Sequence, residues 1–441
     1  MEHNQNNIHL IKLDINRCNG CINCLKRCPT QAIRVRDKKA FIQSERCIGC
    51  GVCVHSCPHK ANRVLSDNLS QLKDYKYCIA LPPPSIYAQF NNIEDNQILN
   101  EALKAIGFDE VFEVTSAAEL IREARGMYIE QNRDRLVFPI ISTNCSVITR
   151  LIQVKYPNLI NNLLPMITPV ELSGIIAKER VMKETGLKSE EIGCVFLAPC
   201  PSKVSETYFP IGVEKRNIDL AIAINDIYSP LLKQMESIKD RKTSLSQTYI
   251  EDTDISEDIL KNEPVTIKGI NKAKYLKVDG IENAINVLDA IESHDYGLEY
   301  VDLLACNAGC FGGVLQVENP FIARTKDQNR KKTKPNLDNN LDPVPLSRML
   351  WDKELEYIPV MELGGTRQEN FERYGKLQGL IKSLPGIDCG RCGAPSCESF
   401  AEDVVKSNAE IRDCVVVFRE QMENVFKMME ASFDAKNDES S

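Results

Sequence analysis

The chain contains no run of about eighteen apolar residues, the length a membrane-spanning helix requires, so no segment is expected to cross a bilayer. Its first residues, Met1 to Asn7, are polar and lack the apolar stretch of a secretory signal, which argues against an exported, disulfide-stapled protein. Aromatic residues make up 6%, Trp351 is the single tryptophan and the net charge is -8. A general nucleic-acid binder needs a basic surface with stacking platforms, so no nucleic-acid partner is expected. These shortages place the chain in a reducing cytoplasm. At 441 residues it is long enough for several domains with sizeable cores and does not need covalent staples.

Against these shortages stands one excess, 18 cysteines, which in a reducing compartment point to metal. They fall in three regions separated by cysteine-poor stretches. Residues 1–70 carry the same pattern twice: Cys18, Cys21, Cys24 and Cys28 followed by Pro29, then Cys47, Cys50, Cys53 and Cys57 followed by Pro58. A 4Fe-4S cubane needs three thiolates from one tight loop and a fourth from elsewhere, and in two-cluster ferredoxins the fourth cysteine of each motif serves the other cluster. The spacing therefore assigns Cys18, Cys21, Cys24 and Cys57 to one cluster and Cys47, Cys50, Cys53 and Cys28 to another. Zinc knuckles instead pair two C-x2-C units across a spacer. Gly20, Gly49 and Gly51 are expected to let the backbone approach the inorganic core. His55 is expected to face solvent or pack, because both four-sulfur sets are complete without it. Residues 1–70 hold eleven Lys and Arg against five Asp and Glu. That excess would suit an acidic electron partner, an acidic neighbouring domain, or simply a solvated basic surface.

Residues from about 74 to 370 alternate short apolar runs with amphipathic stretches, the pattern of an α/β domain or two α/β lobes. Candidate strands are Tyr77 to Leu81, Leu136 to Ile141, Cys194 to Leu197, Leu220 to Ile224 and Tyr300 to Leu304. Asp240 to Lys274 and Lys326 to Pro345 are polar and are expected to be surface excursions. Three apolar runs end on a cysteine: Cys145, Cys200 and Cys306, with Cys310 following in a glycine-rich stretch through Gly309, Gly312 and Gly313. Functional groups of open α/β sheets gather at the carboxyl ends of strands, so these four thiols can converge on another iron-sulfur cluster. Cys78 and Cys194 lie within apolar runs and are expected to be packing residues.

Here the sequence resembles the H-cluster domain of FeFe-hydrogenases. The counterparts of its three signatures are Ser142-Thr143-Asn144-Cys145-Ser146, then Ala198-Pro199-Cys200 with Lys203 and Glu206, then Leu304-Ala305-Cys306 with Gly309-Cys310 and Gly312-Gly313. The resemblance extends to residues 80–88, 102–109 and 117–120, covering most of 75–320. It implies a cubane held by Cys145, Cys200, Cys306 and Cys310, bridged through Cys310 to a two-iron unit carrying CO, cyanide and a dithiolate amine. It further implies that Lys203 anchors a cyanide by a charge-assisted hydrogen bond, that Pro199 supplies a dry wall, and that Glu206 belongs to the same site. The implied chemistry is heterolytic splitting or formation of dihydrogen, one iron taking the hydride and the bridging amine the proton. H-cluster maturation proteins and a redox partner such as ferredoxin or a signalling protein are the implied partners.

The family's proton path begins with a cysteine where this chain has Asn144, and an amide has no usable pKa with which to relay a proton. The carboxylates of the same path align with Ala124-Arg125-Gly126-Met127-Tyr128. Flanking methionines are replaced by Ala198 and Leu304. The family's C-terminal small-subunit segment is replaced by another cysteine module. These departures point to a slow, divergent, sensory or regulatory branch.

That last module spaces Cys389, Cys392, Cys397 and Cys414 in a way similar to the small 4Fe-4S domain of Rnf-type electron-transfer proteins, and it is expected to hold one more cubane, with zinc as the alternative. A helix is expected after Cys397. In it Ile411, Val415, Phe418, Met422, Val425 and Met429 form a heptad seam, suited to a homodimeric coiled coil or to packing on its own module. The expected organisation is thus a ferredoxin-like α+β module over 1–70, a two-lobed α/β H-cluster domain over 71–370 and a small helical 4Fe-4S module over 371–441. Conventional turnover with ferredoxin, or a non-catalytic iron-sulfur protein without the two-iron unit, are the alternatives to a sensory hydrogenase.

Overall fold

A computed structural model describes residues 10–91, 96–243, 267–329, 344–360 and 366–438. Met1 to Asn7, most of the two polar excursions and the last three residues lie outside the described residues. The chain divides into two compact units: one is Val64–Ile358 with the Ile48–Gly51 loop and the N-terminal segment ending at Ile11, and the other is Lys12–Cys47, Val52–Arg63 and the chain from Pro359 onward.

The first unit contains two parallel sheets. One has the order Glu110–Val111, Tyr77–Leu81, Ile192–Ala198, Leu220–Ala223, and the other Tyr275–Asp279, Tyr300–Leu304, Ile140–Ile141. The near-continuous apolar runs of Tyr77–Leu81 and Ile192–Ala198 are those of strands covered on both faces, and all seven residues of Ile192–Ala198 are buried. The period of two then divides them. Ile79, Leu81, Cys194 and Phe196 face one core with Ala117 and Ile121 of the helix Val114–Asn132 and Leu172 and Ile176 of the helix Pro169–Thr185. Cys78, Ala80, Val195 and Leu197 face the opposite core with Leu99 and Leu103 of the helix Asn96–Ala105 and Ile227 and Leu231 of the helix Ile224–Thr243. Cys78 and Cys194 are packing residues as expected. Burial pushes their thiols up to about 11 and about 12, and the Cys78 Sγ donates to the Leu72 carbonyl at 3.3 Å.

Four of the five expected strands form within a residue or two of their expected limits. The fifth shrinks from Leu136–Ile141 to Ile140–Ile141, because Arg133–Arg135 is a 3-10 turn and Pro139 has no N–H for a ladder. Among the described residues no helix is long and apolar enough to cross a membrane.

In the second unit the strands Ile33–Arg36 and Lys39–Ile42 pair antiparallel across a two-residue turn, with Asp37 and Lys38 both at positive φ of 48° and 60°. The helices Arg367–Ser383 and Cys397–Val405 enclose Leu377, Leu384, Phe400, Ala401 and Cys414. The single helix expected after Cys397 is instead two. It stops at Val405, Ser407 takes a positive φ of 60°, and a second helix runs Val415–Asp438. Ile411 with Val416 and Val417 packs on the module, whereas Val415, Phe418, Met422, Val425 and Met429 are exposed.

Three arginines of the basic ferredoxin-like residues meet carboxylates inside this same unit. Arg34 Nε lies 2.7 Å and Arg36 Nη2 2.8 Å from Asp403 Oδ2, and Arg46 Nη2 lies 2.5 Å from Glu402 Oε1. The Val35 N–H donates to the Gly393 carbonyl at 2.8 Å and Arg36 Nη1 to the Cys392 carbonyl at 2.6 Å. Arg34 and Asp403 are 1% and 2% exposed, and a charge so enclosed is tolerated only with its partner in place. Arg34→Met should therefore lower the stability of the cluster-loaded chain by about 3 kcal/mol, and adding Asp403→Leu should return part of that loss. Denaturant midpoints of the two variants check this, and equal midpoints for Arg34→Met and the wild type would refute it.

Candidate metal centre

The four central cysteines stand where the sheets run out. Cys145 caps the N-terminus of the helix Ser146–Lys155, Cys200 caps that of the helix Pro201–Tyr208, Cys306 follows the strand Tyr300–Leu304, and Cys310 lies in the 3-10 turn Gly309–Gly312. At the two helix N-termini the aligned peptide dipoles favour negative charge on sulfur. Ser202 Oγ donates to Ser146 Oγ at 3.0 Å, tying those two N-termini together. The loops interlock closely enough that a Cβ on Gly313 would lie 2.2 Å from the Pro199 carbonyl oxygen.

These thiols lie within electrostatic reach of one another. Burial pushes Cys200 up to about 12, with Cys310 and Cys145 adding to it. Burial also raises Cys306 well above the ordinary thiol value, followed by Cys200, Cys145 and Cys310. Cys310 goes up to about 11, first through burial and then through Cys145. Thiols that oppose each other's ionisation are groups that a bound cation would deprotonate together. Among the described residues no three His, Cys, Asp or Glu side chains gather closely enough for one metal ion. A cubane spreads its thiolates over separate iron atoms, so the donor set fits a cluster. Cys50, in the same unit, also adds to the upward push on Cys306.

Cys310, Pro199, Lys203, Asn144 and Leu304 share the wall of a cavity of about 570 Å³. Burial alone would lower the Lys203 pKa, but the Glu206 carboxylate and the Cys310 and Cys200 sulfurs outweigh it, so Lys203 is held as a cation. Its Nζ lies 2.7 Å from Glu206 Oε2, and Glu206 also accepts from Thr168 Oγ1 at 2.8 Å. Glu206, grouped with the site by sequence, stands behind Lys203 and positions it. Sequence reasoning did not single out Ser85 and Gln316: Gln316 Nε2 donates to Ser85 Oγ at 2.7 Å and to the Cys310 carbonyl at 3.2 Å, holding the Cys310 turn. Both lie in or beside stretches that resemble the family, which was the available signal.

In the second unit Cys21 and Cys57 lie within electrostatic reach of Cys24, whose thiol burial pushes up to about 11. Burial opposes ionisation of Cys57, yet the backbone N–H groups of Ala61, Asn62, His59 and Lys60 outweigh it and hold that thiol below its ordinary value. The repeat is visible here: the Ala61 N–H donates to Cys57 Sγ and the Ala32 N–H to Cys28 Sγ, each at 3.2 Å, and the Ala40 N–H donates to Cys18 Sγ at 3.5 Å. Of the second set, Cys47, Cys53 and Cys28 belong to this unit and Cys50 to the other, so its grouping rests on spacing. Burial raises Cys392, and Cys414 and Cys389 add to it. Cys397 opens its helix with its N–H on Asp388 Oδ1 at 2.6 Å. His55 is exposed. Two of the motif glycines are crowded by neighbouring protein: a Cβ on Gly20 would lie 2.6 Å from the Lys38 backbone, and one on Gly51 would lie 2.6 Å from Val314.

A family model described as iron only hydrogenase large subunit, C-terminal domain, matches residues 76–242 and 231–314, more than half of the chain. The chain belongs to this iron-only hydrogenase family. Models for a 4Fe-4S dicluster domain and a putative Fe-S cluster domain match residues 10–80 and 384–416, which makes it a hydrogenase-family iron-sulfur protein with a ferredoxin-type N-terminal region. Iron hydrogenase 1 of Clostridium pasteurianum is 24% identical over 286 residues, covering 54% of this chain and 50% of that protein, so the chain spans about half the length of this curated relative. An uncharacterized protein of Methanocaldococcus jannaschii is 38% identical over 52 residues, 12% of this chain and 23% of that one. A solved FeFe-hydrogenase described in terms of oxygen inactivation has a TM-score of 0.49 at 14% identity, covering 66% of this chain and 98% of its own. A Chlamydomonas reinhardtii FeFe-hydrogenase has a TM-score of 0.47 at 15% identity with the same coverage. The family assignment rests on the sequence model, not on these likenesses.

Near the site, Glu171 is 3% exposed and accepts from Asn217 Nδ2 at 3.0 Å, and burial pushes its pKa up to about 7. Because its folded pKa lies above the unfolded value, its favourable contribution is complete below about pH 4.5 and is lost as pH rises through about 7. Thermal midpoints of the full chain should therefore fall between pH 5 and pH 8, and Glu171→Gln should flatten that fall. An unchanged slope in the variant would contradict it.

Proposed function

We propose that the protein is an FeFe-hydrogenase-type oxidoreductase that splits or forms dihydrogen at an H-cluster and exchanges electrons through accessory 4Fe-4S clusters, slowly and in a sensory or regulatory role. The observation that carries the reading is the set of four mutually interacting thiols, Cys145, Cys200, Cys306 and Cys310, three of them half-buried and Cys310 open to a cavity with Lys203 in its wall. Cys145, Cys200, Cys306 and Cys310 would hold the cubane, and Cys310, the one of the four on the cavity wall, would bridge to the two-iron unit. That unit, when bound, supplies the chemistry of hydrogen cleavage and electron uptake. Lys203, kept charged by Glu206, would anchor it, while Pro199 and Leu304 exclude water from its surroundings. Asn144 in the same wall can orient a water but cannot take a proton, which is the basis for proposing slow turnover.

The accessory centres would be held by Cys18, Cys21, Cys24 and Cys57, by Cys47, Cys50, Cys53 and Cys28, and by Cys389, Cys392, Cys397 and Cys414. A redox protein such as ferredoxin or a signalling protein, H-cluster maturation proteins, and a cytoplasmic setting complete the proposal. A second copy of the chain would associate along the exposed seam of Val415, Phe418, Met422, Val425 and Met429, with sedimentation of a Met422→Lys variant as its check.

Infrared spectra of the anaerobic chain, loaded with a synthetic two-iron complex, test the central proposal. CO and CN stretching bands that change when argon is replaced by hydrogen are expected, and Lys203→Met should retain the complex poorly. Absence of retained bands would favour an iron-sulfur protein without the two-iron unit, and high specific activity would favour ordinary turnover over a sensory role.

A further inference from the structure

One face of the cavity is charged in a way that the proposed function does not use. The helix Val114–Asn132 presents Val114, Ala118, Arg122 and Arg125 to it, a spacing of four, four and three that defines a single helical stripe. Other charges in the wall have opposite charges close by. Lys203 is held by Glu206 at 2.7 Å, Arg324 lies 3.7 Å from Asp279, and Lys277 is the strand-register neighbour of Asp302. The two arginines differ. Arg125 is 9% exposed and lies over the Tyr300 ring at 5.9 Å, and Arg122 has its Nε enclosed with no hydrogen-bond partner. Among the described residues neither guanidinium has a carboxylate within ion-pair distance.

Two guanidiniums on one wall, Arg125 buried and Arg122 partly buried with its Nε enclosed, neither in an ion pair among the described residues and with Asp302 a carboxylate of the same wall, are costly, and a bound anion removes that cost. The guanidinium fork matches a planar carboxylate through two parallel N–H···O bonds. Beside them Val114, Ala118, Val170 and Phe196 line the same space, so the wall offers an apolar surface next to the cations. A cavity of about 570 Å³ is in the size range of small-molecule sites. We propose that Arg122 and Arg125 form a binding site for a small organic monocarboxylate, its carboxylate on the guanidiniums and its short hydrocarbon body against Val114, Ala118 and Phe196. Because Cys310 and Lys203 line the same cavity, occupancy by such an anion would couple the metal site to the level of a carboxylate metabolite.

The test uses the full chain with its iron-sulfur clusters reconstituted anaerobically and without any two-iron unit, so its outcome is independent of whether that unit binds. Isothermal titration with butyrate should give saturable binding of about one equivalent, while inorganic phosphate and chloride bind much more weakly. Arg122→Gln and Arg125→Gln should each weaken butyrate by about tenfold or more, and Arg125→Lys should not restore it, because an ammonium lacks the fork. Ala118→Phe, which keeps both charges and fills the apolar part, should also weaken it and serves if the arginine variants fail to fold. Cluster absorbance and thermal midpoints report folding for each. No saturable butyrate binding, binding unchanged in every variant, or a preference for phosphate over butyrate would overturn the proposal.

Discussion

Four cysteine sulfurs held within electrostatic reach of one another where parallel strands end cannot all carry charge unless something positive joins them. Each thiolate would repel the next, and burial pushes Cys200, Cys306 and Cys310 upward from the ordinary thiol value. The surrounding architecture makes sense as a response to that constraint. Parallel strands end at one edge, and helices start at Cys145 and Cys200 with their positive poles toward sulfur. The glycines at 312 and 313 let the last loop close against Pro199 and Asn307. Lys203 contributes a cation whose own burial is offset by Glu206.

The same logic of matched charge recurs in the second unit with a different outcome. Arg34, Arg36 and Arg46 contribute part of the basic excess of the ferredoxin-like residues, and Asp403 and Glu402 answer them from the C-terminal helix Cys397–Val405. An acidic neighbour thus answers these three arginines, while Arg27, Lys38, Lys60 and Arg63 stand exposed to solvent. The backbone serves sulfur here too: matching N–H donors at Ala32 and Ala61 reach Cys28 and Cys57, so the sequence repeat is also a repeat of hydrogen bonding. Where charge is not matched, at Arg122 and Arg125, the cavity wall has room for a ligand.

Much of this was legible in the sequence because the chemistry is local. A strand that ends on a cysteine, or three cysteines within seven residues, carries its meaning in its spacing. The short apolar runs of Tyr77–Leu81 and Ile192–Ala198 also read as strands directly, since both faces are apolar. Less legible were features made by tertiary neighbours. Gly51 is glycine because Val314 occupies the space of a Cβ, and Glu206 is read as a positioning group only once Thr168 is seen on its far side. The break at Ser407 has no apolar signature, and periodicity alone could not say that Val415 and Phe418 stay exposed while Val416 and Val417 pack. Arg125 was legible only as standing where the family has path carboxylates, and its place beside Arg122 on the cavity wall came from the fold.

The central claim is that the four strand-end thiols hold a cluster of their own, beside the three sets read from the terminal modules. Iron and sulfide analysis with Mössbauer spectroscopy on the full chain, reconstituted with iron and sulfide alone, tests it most directly. About sixteen iron atoms per chain are expected, falling by about four in Cys306→Ala while the remaining clusters keep their spectra. About twelve iron atoms in the wild type, unchanged by Cys306→Ala, would contradict the account.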